Sequence, residues 1–409
     1  MDLIGNQNSL KFNYIYIFLI LAFIEVKKFT VGLIPYYPPV INYFLTYLIL
    51  FGLFYQSINI NLNEKITSNS KKLFLVYWLH SLIVIIIGLY NSTSYWDYKY
   101  IFLNQIPYFM LSFSIFIGIN FEKNRYFFIF FIKKLFPVIL LLSIFFYDNN
   151  YSIISVLAIP LVIFILSFFY LNKKTKVLIV TLSLVVLFVD FNYRTNSLRI
   201  ILCYLSIFLL YFFRYKQSIL NTLTIIIILI PLYLLFLGID GSFDVFTHLS
   251  NKMNLYYENS VYGFGSNTRT FLYVEVLNSI IEKNSNIFFG DGASAGYQTR
   301  YFVDQILSQK GRLSSEVGFL NTLLKSGILG VMIYFLILIY PAYLAINFSK
   351  NKLSKILGFF LVLNWVLFFI EVYQTINITN FVNFIIIGLC ISNNFRKLSD
   401  EEIKSLFNN

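Results

Sequence analysis

One stretch decides the fold: Leu73-Phe-Leu-Val-Tyr-Trp-Leu-His-Ser-Leu-Ile-Val-Ile-Ile-Ile-Gly-Leu-Tyr-Asn91, which contains no charged residue. As an α-helix it matches the hydrocarbon core of a bilayer, which is ~30 Å thick and needs roughly 20 residues. Similar runs recur along the chain, and they predict transmembrane helices rather than the alternating strands of a closed barrel. The predicted spans lie near residues 12–25, 39–59, 73–91, 100–119, 128–147, 152–171, 177–190, 199–213, 219–238, 327–346, 355–371 and 375–392.

The composition leads to the same fold class. Hydrophobic residues make up 58% of the 409 residues and charged residues only 12%, whereas a soluble domain has about a quarter charged residues. The formal net charge is +12, but the lysines and arginines stand in small groups between the apolar runs. They form no basic stripe interleaved with stacking aromatic residues, so no nucleic-acid partner is expected. We expect membrane lipid to cover most of the protein surface.

The short loops differ in positive charge, and this difference predicts the orientation. With the N-terminus inside, the inner loops hold groups such as Lys173, Lys174 and Lys176, while the outer short loops hold few basic residues. Cytoplasmic loops are enriched in lysine and arginine. We therefore expect an all-α polytopic membrane protein of about 12 transmembrane helices with both termini in the cytoplasm. Its parts are a membrane bundle of about nine spans (1–238), a long extracytoplasmic loop (239–326), C-terminal spans (327–392) and a cytoplasmic tail (393–409).

The long loop lies between the ninth and tenth predicted spans, and it contains two candidate amphipathic helices. The second begins at Ser314 or Ser315 and continues into the tenth span, with Glu316 in its first turn. The first runs from Arg269 to Lys283, because apolar residues recur there at helical spacing. They are Phe271, Val274, Leu277 and Ile281, extended by Leu272, Val276 and Ile280.

Three arginines are candidate phosphate ligands. Arg194 and Arg199 lie in or just after the outer turn before the eighth span, where the charge rule disfavours arginine. A planar guanidinium matches phosphate oxygens, although an interfacial anchor or a pair with Asp190 is the alternative. Arg269 starts the first loop helix, where a cation opposes the helix dipole. A bound anion would remove that conflict; a solvated surface charge is the alternative.

A small-residue turn and an acid complete the candidates. The turn is Gly290-Asp-Gly-Ala-Ser-Ala-Gly-Tyr297, and by itself it is a weak signal. Glu316 is a candidate general base or acceptor for a sugar hydroxyl. An acid in a first helical turn also stabilises the helix on its own account. Cys203 and Cys390 stand within apolar runs and show neither pairing nor metal-ligand spacing, so they are expected to be small apolar residues of the membrane part. No cofactor is expected.

The order of these features resembles the Wzy-type O-antigen and capsule polymerases and the related O-antigen ligases. An arginine precedes the eighth span, and an arginine helix and a glycine turn follow in the long loop. Next comes a helix with Glu316-x-x-Phe-Leu320 and Gly327-Ile-x-Gly330. The ligases carry a histidine four residues before a leucine that lies seven before a glycine. Leu320 and Gly327 keep that spacing, but Glu316 takes the histidine's place, which favours a polymerase.

This resemblance implies an inverting, metal-independent glycosyltransferase of the bacterial cytoplasmic membrane. Its substrate would be an undecaprenyl-diphosphate-linked oligosaccharide, and a chain-length regulator is a further partner. The resemblance implies Glu316, Arg199 and Arg269 as catalytic residues. The expected substrate-binding residues are Arg194, Arg300, Arg312, Gly290, Gly292 and Tyr297.

Three other functions stay open at this point. An O-antigen ligase would share the chemistry, but it normally carries the histidine. A lipid-linked oligosaccharide flippase is expected to show two related halves and short loops. This sequence shows no internal repeat, and one long loop lies between its ninth and tenth predicted spans. A peptidoglycan-type polymerase shares the many spans and the lipid-diphosphate donor.

Overall fold

The computed structural model describes ten stretches of the chain, and within them it is mostly helical and contains no β-strand. The first and fifth predicted spans, and residues 152–160 of the sixth, lie outside these stretches. The described residues are 39–58, 65–121, 124, 161–189, 194–213, 215–239, 270–282, 286–300, 308–371 and 375–408.

Twelve helices are labelled here in chain order. Within α3, a π-helical turn at Ile101–Gln105 and a 3₁₀ turn at Ser112–Ser114 interrupt the α-helix. The helices are α1 (Pro39–Ile58), α2 (Ser68–Tyr90), α3 (Tyr95–Ile119), α4 (Lys173–Val189), α5 (Arg194–Phe212), α6 (Gln217–Ile239), α7 (Thr270–Glu282), α8 (Gly318–Asn347), α9 (Lys352–Phe368), α10 (Ile378–Ile391), α11 (Asn393–Lys397) and α12 (Asp400–Asn408).

Four helices in the described part are long and apolar enough to cross a membrane. They are Ser68–Tyr90, Tyr95–Ile119, Gln217–Phe236 and Gly318–Asn347. Each contains or overlaps one of the predicted apolar runs, which supports the coarse prediction of a helical membrane protein. The total of about 12 spans, the orientation and the extracytoplasmic position of the loop stay predictions.

Local sequence explains where these helices begin. The side chain of Thr67 accepts a hydrogen bond from the Ser70 N–H at the start of α2. Ser94 and Asp97 form a reciprocal capping box at the start of α3. Such caps satisfy backbone donors that have no partner inside the helix. Both helices therefore begin several residues before the apolar runs that predicted them.

Helix α8 is broken at Gly327, and the glycine turn of the candidate site binds to the backbone on both sides of this break. Gly327 has φ +64° and ψ −167°, a combination essentially restricted to glycine. The 20 residues that follow the break reach Asn347 and span about 30 Å as a helix. This second half coincides with the predicted tenth span.

The core is formed mainly by the C-terminal helices. α8 packs along α9, and α10 packs against the C-terminal part of α3. Gly118 and Gly388 allow the latter contact, because a methyl group at Gly388 would collide with the Ile115 carbonyl. The glycine turn of the loop packs beside α2 and the break in α8.

Candidate functional site

The loop segment around the glycine turn forms hydrogen bonds with the backbone groups that the break in α8 leaves without helical partners. The N–H groups of Ile328 and Leu329 donate to the carbonyls of Ile287 (2.8 Å) and Phe288 (3.1 Å). In return, the N–H groups of Asp291 and Gly292 donate to the carbonyls of Leu324 (3.1 Å) and Lys325 (3.0 Å). Buried backbone groups need such partners. The loop is therefore an integral part of the helix bundle.

The two glycines at the start of the turn are required by its shape. Gly290 and Gly292 have φ values of +71° and +88°, the region that glycine adopts without strain. A methyl group at Gly292 would collide with the backbone nitrogen of Gly88 in α2. Both residues were predicted to bind substrate. In the structure they shape the turn and allow its close approach to α2 and α8.

Tyr297, Arg312 and Glu316 form one polar cluster. The backbones of Tyr297 and Arg312 pair through two hydrogen bonds of 3.0 and 2.9 Å. The guanidinium of Arg312 donates from Nη1 to the Tyr297 hydroxyl (3.0 Å) and from Nη2 to Glu316 Oε1 (3.1 Å). Burial raises the pKa of the Tyr297 hydroxyl although Arg312 opposes the shift, so this group is a neutral phenol at neutral pH. Three predicted site residues are thus in direct contact.

Glu316 lies just outside α8, and this corrects a predicted helix boundary. The sequence predicts a helix from Ser314 or Ser315, with Glu316 in its first turn. In the structure Val317 is the N-cap residue and the helix begins at Gly318. The turn before it is held by Asn321, whose side chain accepts from the Ser315 N–H (2.8 Å) and donates to the Ser315 carbonyl (2.8 Å). The Glu316 side chain is 39% exposed and accessible to a substrate.

Helix α7 occupies the predicted position of the first loop helix and packs against this cluster. The Gln298 N–H donates to the Ser279 hydroxyl (3.0 Å), and the Arg300 N–H donates to Glu275 Oε1 (2.7 Å). The buried face of α7 carries Leu272, Val276 and Ile280, while Val274 and Ile281 are exposed. Arg300 itself is exposed beside the cluster.

Arg199 is buried and forms an ion pair within the protein. Its guanidinium forms an ion pair with Glu371, just after the end of α9, and its side chain is only 4% exposed. The backbone carbonyl of Glu371 accepts the N–H of Gly318, the first residue of α8 (2.7 Å). Arg199 therefore reaches Glu316 indirectly, through Glu371 and the start of α8. The sequence predicted a guanidinium open to phosphate, which this geometry does not present.

Of the two other predicted arginines, the structure describes Arg194 but not Arg269. Arg269 lies outside the described residues, immediately before Thr270 of α7. One turn into this helix, the Tyr273 hydroxyl donates to the Phe369 carbonyl (2.6 Å), two residues before Glu371. Arg194 is the first residue of α5. The beginning of α7 thus lies close to the Arg199–Glu371 pair.

Known proteins give no further guide to this site. The chain matches no protein-family model, no curated protein and no solved structure at a significant level. The assignment of function therefore depends on the residues and contacts of the chain itself.

The structure also reveals a buried cation that the sequence prediction did not assign. Lys325 is 1% exposed and donates from Nζ to the Tyr100 hydroxyl of α3 (2.6 Å). A signal for it existed, because a lysine within an apolar helical run is a functional candidate by default. As for metals, the described residues contain no group of three or more His, Cys, Asp or Glu side chains arranged as ligands.

Proposed function

We propose that the protein polymerises undecaprenyl-diphosphate-linked oligosaccharide repeat units into O-antigen or capsular polysaccharide at the outer face of a bacterial cytoplasmic membrane. The observation that supports this most is the cluster of Glu316, Arg312 and Tyr297 at the head of the broken helix α8. It combines an accessible carboxylate, an orienting cation and a phenol beside a bundle of membrane-length helices. These groups suit the recognition and activation of a sugar hydroxyl.

In the proposed reaction, a hydroxyl of one lipid-linked repeat unit attacks the anomeric carbon of the growing chain. A glycosidic bond forms with inversion, and the bond from that carbon to the diphosphate oxygen breaks. Glu316 takes up the hydroxyl proton, and Arg312 holds the carboxylate in place through its 3.1 Å contact. The diphosphate leaves on its lipid, and Arg269 stabilises its developing charge.

Arg199 has a positioning role in this proposal. Its pairing with Glu371 fixes the end of α9, and Glu371 in turn holds the N-terminus of α8 through Gly318. Glu316 lies two residues before that point, so its position depends on the same contacts. The small shifts that loss of such support allows are expensive for catalysis, because reacting groups must stay within hydrogen-bond reach.

Reconstitution tests the proposal. The purified chain is placed in liposomes with synthetic undecaprenyl-diphosphate-linked repeat units, and the products are separated by size. We expect a ladder of polymers from the wild type and only single units from Glu316→Gln. Glu282→Gln is the matched control, because Glu282 is an exposed carboxylate at the end of α7. A full ladder from Glu316→Gln, or no ladder from the wild type, would refute the proposal.

A further inference from the structure

Three consecutive apolar side chains of the long loop, those of Ile287, Phe288 and Phe289, are exposed. Their exposed fractions are 48%, 67% and 54%. These three residues, called the apolar tip here, come directly before the glycine turn, and no charged residue occurs from Asn284 to Gly290. Single exposed apolar residues are ordinary on a protein surface, whereas a contiguous apolar patch marks a surface that contacts a partner or a membrane.

The apolar tip continues the exposed apolar surface of α8. The carbonyls of Ile287 and Phe288 accept the N–H groups of Ile328 and Leu329, so the two segments lie side by side. Ile328 and Leu329 are exposed, and so is Met332 on the next turn of α8, which shares a helix face with Ile328. These residues belong to a helix long and apolar enough to cross a membrane. The tip and α8 thus present one continuous apolar patch.

The neighbouring helix α2 gives the depth of the tip in the bundle. The glycine turn packs at Gly88, two residues before the end of α2 at Tyr90. Gly330 of α8 lines the same cavity as His80, which is ten residues before that end, about 15 Å along the helix axis. The tip bonds to α8 just before Gly330, so it lies between these two levels. Over this distance α2 is an uninterrupted apolar helix of membrane length.

The backbone of this segment is paired as a membrane interior requires. The N–H groups of Phe288 and Phe289 both donate to the side-chain oxygen of Asn286 (3.1 Å each), and the Gly290 N–H donates to the Asn286 carbonyl (2.6 Å). The next three N–H groups, of residues 291–293, donate to carbonyls of α8 and α2. Water could satisfy these donors in an aqueous loop, but hydrocarbon cannot. All six consecutive N–H groups of residues 288–293 therefore have protein acceptors.

We propose that the apolar tip is inserted among the acyl chains of the bilayer, so that residues 286–293 form a re-entrant element of the long loop. Three observations support acyl chains as the occupant of this surface: the patch is continuous with the apolar surface of α8, its flanking segment carries no charge, and its N–H groups are paired within the protein. Such an anchor holds the glycine turn, and with it the cluster of Tyr297, Arg312 and Glu316, at a fixed depth relative to the membrane.

Spin labelling of the full-length protein in phosphatidylcholine liposomes tests the inference. The label is attached to Phe288→Cys, and its collisions with oxygen, which concentrates in hydrocarbon, are compared with those of a water-soluble nickel chelate. Met332→Cys is the matched lipid-facing control, and Gln298→Cys, at an exposed residue after the glycine turn, is the aqueous control. Cys203 and Cys390 are fully buried, and labelling of the wild type measures any background from them.

We expect the label on Phe288→Cys to collide severalfold more with oxygen than with the nickel chelate, as on Met332→Cys, and the label on Gln298→Cys to show the reverse. Access of the nickel chelate to Phe288→Cys equal to that of Gln298→Cys would place the tip in water and overturn the inference. Protection from both reagents would show that protein covers the tip, which also overturns it.

Phe289→Cys provides the same test if Phe288→Cys does not fold, as judged by gel filtration in detergent, and the same result is expected because both side chains are exposed on the tip. The measurement needs no substrate and no turnover. Its outcome is therefore independent of the proposed function.

Discussion

Arg312 and Glu316 form an ion pair at 3.1 Å, four residues apart although neither lies in a helix. The spacing works because Arg312 is fixed by its backbone pairing with Tyr297, while Glu316 is fixed by the turn before α8. Their side chains are 11% and 39% exposed, so solvent screens the pair. A pair of this kind contributes about 0–1 kcal/mol to stability. Its value lies in orientation of the carboxylate.

This geometry predicts that Arg312→Gln will lower activity while leaving stability nearly unchanged. We expect polymerisation to fall at least about tenfold, because the carboxylate loses its orienting partner. The thermal unfolding temperature should stay within a few degrees of the wild-type value. Wild-type polymerisation by Arg312→Gln would show that the carboxylate of Glu316 does not need this partner.

The sequence predicted the helices well where an apolar run was uninterrupted. The runs 73–91 and 219–238 correspond to α2 and α6, because burial or lipid contact dominates every position of such a run. It also located α7 to within a residue at each end. The buried face, however, is the one formed by Leu272, Val276 and Ile280, while Val274 and Ile281 of the main predicted stripe are exposed. What it missed was the start of α8, which depends on the Asn321 contacts rather than on hydrophobicity.

The tertiary pairings of the site could not be predicted from the sequence. Arg199 and Glu371 are 172 residues apart, and no local pattern joins them. The glycine turn was a weak signal alone, because its function depends on a partner, the broken helix at Gly327. Lys325 was visible as a charge in an apolar run, but its burial against Tyr100 required the three-dimensional packing of α3 and α8.

The approach of the glycine turn to α2 predicts a severe effect of Gly292→Ala. The added methyl group would meet the backbone of Gly88, which has no side chain that can move aside. Its φ of +88° adds backbone strain of about 1–3 kcal/mol. We expect the free energy of unfolding to fall by about 2 kcal/mol or more, measured by thermal unfolding in detergent.

Gly52→Ala is the control for this prediction. Gly52 lies inside α1, and a methyl group there would meet nothing within 4 Å. Alanine should therefore be neutral or stabilise the helix by about 0.5–1 kcal/mol. Equal stability of the two variants would contradict the packing of the turn against α2.

The buried contacts of Asp97 hold the loop residues Ser308 and Lys310 against the start of α3. Its carboxylate is fully buried and accepts hydrogen bonds from the Ser308 hydroxyl (2.6 Å) and the Thr93 N–H (3.0 Å). Lys310 Nζ lies 3.5 Å from the same carboxylate. Asp97→Asn replaces one acceptor by a donor and removes the charge, which costs about 1–3 kcal/mol.

Hydrogen–deuterium exchange over residues 308–316 measures how easily this loop segment opens. We expect faster exchange in Asp97→Asn than in the wild type, because opening of the segment needs less free energy. Ser308→Ala removes one of the contacts and should have an intermediate effect. Unchanged exchange in both variants would show that other contacts hold this segment.

Variants of the Arg199–Glu371 pair can distinguish a positioning role of Arg199 from direct binding of the diphosphate. Arg199→Met leaves the Glu371 carboxylate, which is 19% exposed, without its cation, and loss of one partner of a buried pair costs about 3 kcal/mol or more. Folded yield and activity should both fall. Arg199→Met combined with Glu371→Gln removes both charges, so the stability should recover largely, since neutral replacements of buried pairs are well tolerated.

Activity of this double variant decides between the roles. A positioning residue acts through the fold, so polymerisation should recover together with the thermal unfolding temperature, to within about tenfold of wild type. A residue that binds the leaving diphosphate directly would leave the double variant stable but inactive, because charge stabilisation at the reacting group typically contributes 10²–10³-fold or so. We expect recovery, because the guanidinium is buried against Glu371 and the carbonyl of Glu371 holds the first turn of α8.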